Sequence, residues 1–142
     1  MTRPAKARRE AGNAMIEFAG SLLLLGTLFS GVFEIGYSLH SYGQLVDAVR
    51  AGARYAALQP RSAAADPAVA KAVRNLVVYG DPAPPAQSKP LVPGLAPEHI
   101  ELVNTAEAST VSLRGFTIDA VFMKLKLDGR PTVTFPATGG PQ

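Results

Sequence analysis

One carboxylate sits where water is scarce. Glu17 lies near the start of the stretch 15–33, in which every other residue is uncharged. A charged side chain inside a membrane-length apolar run is costly and is retained for function. Gly12 stands five residues ahead of it, and Arg3, Lys6, Arg8 and Arg9 precede the glycine. The chemistry this set allows is done to the chain rather than by it. A peptidase at a membrane face needs a small residue at the cut, and Gly12 supplies one. Hydrolysis there would leave Asn13 with a free amine, one helical turn from Glu17. Neither charge is stable alone in hydrocarbon. The amine of one copy and the carboxylate of its neighbour would neutralise each other and set the stagger between copies.

These residues need a long helix to place them. Nineteen helical residues, 15–33, rise about 28 Å, close to a hydrocarbon core of roughly 30 Å. The next charge, Glu34, falls just past that length. No proline occurs between Pro4 and Pro60, which predicts one helix over 13–58, on the order of 69 Å long. In its outer half Leu39, Tyr42, Val46, Val49, Ala53 and Ala56 follow three- and four-residue steps and predict one apolar stripe. Gln44, Asp47, Arg50 and Arg54 fall largely off it. A secretory signal carries its cleavage site after the apolar run. Here the run continues into an amphipathic helix that must stay attached, so Gly12–Phe18 reads as a prepilin-type signal rather than a secretory signal or a plain anchor.

The remaining residues supply a cover for the stripe. Asp66-Pro67 is a helix start, an N-cap acid followed by proline. Val69, Val73, Leu76 and Val77 continue it to a stop at Gly80. Residues 81–97 hold six prolines and predict an extended loop. Strands are expected at His99 to Val103, Thr110 to Leu113, Phe116 to Leu127 (with a break near Ala120 to Met123) and Thr132 to Phe135. Asp128-Gly129 signals a hairpin between the last two. The fold class is α+β: a long N-terminal helix, membrane-spanning in its inner half, packed on a small antiparallel sheet with one short helix. The domains are a basic leader at 1–12, the helix at 13–58 and a small extracytoplasmic unit at 59–142.

Composition excludes several functions. The net charge of +3 lies in residues 1–12, with four bases and one acid; the remaining residues carry ten of each and are neutral. A neutral body argues against a nucleic-acid surface, while leader charge fits retention on the cytoplasmic side. Without cysteine there is no thiol catalysis, disulfide or thiolate metal site. His40 and His99 lie in different elements without further ligands at metal spacing, so no metal or other cofactor is expected. There is no nucleophile elbow and no Gly-rich phosphate loop, and Glu98, Glu101 and Glu107 read as strand ends and solvent face. Lys124 and Lys126 alternate with Met123, Leu125 and Leu127 as in a half-exposed strand. The helix glycines, Gly20, Gly26, Gly31, Gly36, Gly43 and Gly52, suit close helix packing or a helix able to stretch. The expectation is an interaction protein, not an enzyme.

The segment Arg8-Arg9-Glu10-Ala11-Gly12-Asn13-Ala14-Met15-Ile16-Glu17-Phe18-Ala19 resembles the start of TadE-like proteins, minor pseudopilins of tight-adherence (Tad/Flp) pilus systems. Gly31 to Gly36 resembles the block holding the family's second glutamate, Glu34 here, and Ala48 to Ala57 its closing Ala/Arg/Gly/Tyr helix. Weaker likeness appears at Asn75 to Gly80 and Thr132 to Pro136. The chain departs from the pattern at Gly20-Ser21, where a Leu-Pro pair often sits. The resemblance implies a single-pass subunit of the bacterial inner membrane, with its C-terminal domain outside the cytoplasm. It implies cutting after Gly12 by a prepilin peptidase and work with other pilus subunits and an inner-membrane assembly platform. Asn13 would be the new N-terminus, Glu17 the processing and assembly determinant, and Phe18 the next residue in membrane or filament core. Glu34 is either a partner contact or an interfacial charge solvated by headgroups. Two other functions stay open: a pseudopilin of a secretion or competence system, and a single-span anchor for an outer domain that binds a ligand.

Overall fold

The computed structural model describes residues 5–60, 66–105, 107–120 and 123–136, with side chains from Gly12 onward. It divides into two units, Met1–Tyr37 and Ser38–Gln142. One helix, α1 (Ala5–Leu58), enters both. It ends where expected and begins earlier, inside the leader. Ala5 to Ala11 are Ala, Lys, Arg and Glu, all strong helix formers, and no proline interrupts them.

Over residues 15–33 α1 has no apolar stripe; apart from Glu17 it is uncharged all round. Met15, Ile16, Phe18, Leu22, Phe29 and Phe33 are all exposed. A helix of that kind belongs in a protein core or a membrane. The part from Gly12 onward is long and apolar enough to cross a bilayer.

In the second unit the buried face of α1 is Ser38, Ser41, Leu45, Ala48, Val49, Gly52, Ala53, Ala56 and Ala57. This corrects the expected stripe at its start. Leu39 is 66 % exposed, and Tyr42 and Val46 are only half-buried, whereas Val49, Ala53 and Ala56 are inside. The inner face mixes small residues with Leu45 and Val49, both fully buried. At Gly52 the missing side chain lets a neighbour approach closely. That neighbour is α2 (Pro67–Tyr79). A methyl group on Gly52 would overlap Val77 Cγ2 and sit 3.6 Å from Val73 Cγ1.

The ends of α2 follow from its sequence. Asp66 Oδ1 accepts from the Ala68 N–H at 2.8 Å, Pro67 opens the first turn, and Gly80 closes the helix at φ 78°. Val73, Val77 and Val78 are buried, and Val69 and Leu76 are half-buried. Asp66→Ala removes the only side-chain cap at that end and is expected to cost about 1 kcal/mol. A lower thermal midpoint of the full-length protein in detergent checks it; an unchanged midpoint would deny the cap any energetic role.

The proline-rich segment is strapped to α2. The Leu91 N–H donates to Val78 O at 2.8 Å, and Asn75 Nδ2 donates to Pro82 O at 3.3 Å. Val92 and Leu95 are buried, and a short 3₁₀ turn, Pro97–His99, leads into the strands.

Five strands follow: β1 (Ile100–Asn104), β2 (Ala108–Leu113), β3 (Phe116–Asp119), β4 (Lys124–Leu127) and β5 (Thr132–Pro136). All pairings are antiparallel, but they form two sheets rather than one. β2 is central in the order β1-β2-β5, with Leu102 opposite Val111 and Val111 opposite Val133. Ser109, Val111 and Leu113 alternate inward. β3 and β4 pair separately, with Phe116 opposite Leu127, and the break expected near Ala120 to Met123 separates them.

The hairpin expected at Asp128-Gly129 does not form between β4 and β5. β4 is already paired with β3, so the turn passes the chain to the other sheet, where β5 joins β2. Gly129 takes φ 69°, and its N–H donates to Leu113 O at 2.8 Å, the link between the two. The alternation expected in β4 holds only at its end. Leu127 is buried, while Leu125 is 39 % exposed beside Lys124 and Lys126.

Candidate functional site

Gly12, Asn13, Glu17, Phe18 and Glu34 all lie on α1, so helix geometry alone fixes their spacing. Asn13 and Glu17 are four residues apart, one above the other on the same face, with a rise of about 6 Å. Gly12, Asn13, Glu17 and Phe18 are exposed. Around Glu17, Met15, Ile16 and Phe18 are 77 %, 72 % and 69 % exposed, so the carboxylate is set in an uncovered apolar surface. The ion pairs among the described residues are Asp47–Arg50 at 3.1 Å, Glu101–Arg114 at 3.7 Å and Asp119–Lys124 at 3.5 Å; none involves Glu17. A carboxylate placed in hydrocarbon is costly unless it is paired, hydrogen-bonded or neutralised.

Glu34 is placed differently. It is only 5 % exposed. Burial of a carboxylate is tolerated only where it is hydrogen-bonded or paired. Glu34 therefore does not share the open surface on which Glu17 and Phe18 lie.

The glycines separate in the same way. A methyl group on Gly12, Gly20, Gly26, Gly31, Gly36 or Gly43 would meet nothing within 4 Å, whereas one on Gly52 would collide with α2. Close packing inside the chain explains Gly52 and none of the other six. The burial of Ser38 and Ser41 was not anticipated; their seven-residue spacing to Leu45 and Ala48 was the signal.

Neither histidine is arranged for metal binding. His99 Nδ1 accepts from the Ala96 N–H at 3.1 Å, and its ring lies 5.4 Å from that of Phe116, which makes it a brace for the 3₁₀ turn. His40 is exposed on α1. Glu101 faces Arg114 across the strand ends, and no cluster of three metal-ligating side chains occurs among the described residues.

Comparison with known proteins points to the same helix. No curated protein and no solved structure matches the chain. A family model does, described as TadE-like protein, over residues 12–54. The matched segment starts at the proposed cut, contains Glu17, Phe18 and Glu34, and ends two residues after Gly52. Residues 12–54 of this chain are thus similar to TadE-like proteins.

Proposed function

We propose that this chain is a minor pilin or pseudopilin that supports assembly of a Tad-type (type IVb) pilus. It is made with a basic leader, cut after Gly12 by a prepilin peptidase, and held in the inner membrane by the apolar half of α1. The Ser38–Gln142 unit stands on the far side. The single observation that carries this reading is Glu17, an exposed carboxylate in an otherwise uncharged helix surface, within the TadE-like match. A cation from another subunit satisfies it, and the amine of a processed Asn13 is the cation that the sequence itself provides. The protein has no reaction of its own. Its partners are the peptidase, other pilus subunits, the assembly platform and the lipid bilayer.

The test is the N-terminal mass of the protein purified from host membranes with and without the peptidase. The expected result is a start at Asn13 that depends on the enzyme. An intact leader, with the peptidase active on another substrate, would overturn the reading and leave an anchored outer domain that binds a ligand.

A further inference from the structure

We infer that processing of this chain is gated by local unwinding of α1 around the Gly12–Asn13 bond, an inference that rests on the cleavage proposed above. α1 runs without interruption from Ala5 to Leu58, so the bond has helix on both sides. In an α-helix the Gly12 carbonyl accepts from the Ile16 N–H, and the Asn13 N–H donates to the Arg9 carbonyl.

Hydrolysis undoes both bonds. The oxygen of a water molecule bonds to the Gly12 carbonyl carbon, and the C–N bond to Asn13 breaks. Gly12 leaves as a carboxylate, and the nitrogen takes both protons of the water to become the Asn13 ammonium. In the transition state the carbonyl oxygen gains charge that enzyme donors must meet, yet in the helix it is held by Ile16 and packed against the next turn. The span from Arg9 to Ile16 therefore opens before the bond can be attacked.

The residue types concentrate the weakness at the cut. Gly12 is the poorest helix former after proline, while Ala11 and Ala14 on either side are the best. Nothing in the chain packs where a Gly12 side chain would be, so intramolecular packing does not account for the glycine. Opening accounts for it, together with the small residue needed at the cut.

The experiment uses the full-length precursor in lipid vesicles with purified prepilin peptidase. Ala11→Gly and Ala14→Gly are each expected to raise the initial cleavage rate up to about five-fold, the equivalent of about 1 kcal/mol of helix propensity, and together to compound. Amide exchange at Ile16 is expected to quicken in parallel. Gly26→Ala, beyond the opened span, leaves the rate unchanged. Cleavage that stays flat or slows while exchange at Ile16 quickens overturns the gate. Failure of an active peptidase to cut the unaltered chain after Gly12 removes the processing proposal itself, and the gate with it.

Discussion

Gly52→Val unfolds the Ser38–Gln142 unit more readily than any other single change on α1 considered above. The first added carbon would overlap Val77 Cγ2, and Val73 Cγ1 and Val73 O lie 3.6 and 3.8 Å away. Val73 and Val77 are fully buried and have no free side to move into. Overpacking of this kind costs about 1–3 kcal/mol per site. The gain in helix propensity over glycine, about 1 kcal/mol at most, does not offset it. At about 4–8 °C per kcal/mol for a domain of this size, a drop on the order of 10 °C in thermal midpoint is expected for the full-length protein in detergent. Gly43→Ala, nine residues earlier on the same helix, has open space around it and raises the midpoint by a few degrees. Equal shifts at the two positions would show that helix propensity, and not the α1–α2 approach, governs both.

Glu17→Ala has the largest expected effect on function, and its sign differs between two readouts. Removing a charge from the apolar segment eases membrane insertion, by less than the about 2.5–3.5 kcal/mol of a central position, because Glu17 lies near one end of the stretch. The protein is therefore at least as abundant in the membrane fraction. Assembly is lost, because the neighbour's amine no longer finds a carboxylate. Glu17→Gln, similar in shape and neutral, is expected to fail alike. Membrane fractionation and counts of surface pili by electron microscopy check both halves. Normal piliation with either variant would remove Glu17 from the assembly mechanism.

The legible features were those dictated by one residue type or by spacing along a single element. The end of α1 before Pro60, the Asp66 cap, the Gly80 stop and the break inside 116–127 followed from local chemistry. So did the placement of Gly12, Asn13, Glu17 and Phe18, which depends only on α1 being a helix. Features that depend on what lies opposite were not legible. Leu39 is more hydrophobic than Ser38, yet Ser38 is inside, because Ser38 lies two turns before the buried Leu45 on the same helix face. Asp128-Gly129 makes a turn in either topology; whether a hairpin follows depends on β4 having already paired with β3.

The strand order of the larger sheet also bears on how the chain is made. β2 is its centre, but one of the strands that complete it, β5, ends at Pro136 and reaches β2 only after β3 and β4 have been formed and set aside as a separate pair. During synthesis, then, Ala108–Leu113 waits with an open edge until Thr132–Pro136 emerges. An open edge is a template for the wrong partner, and non-local pairing is slow to form. The interval between residues 113 and 132 is the period in which a nascent copy is most exposed to pairing with another copy, and a chaperone or membrane neighbour that shields β2 would act then.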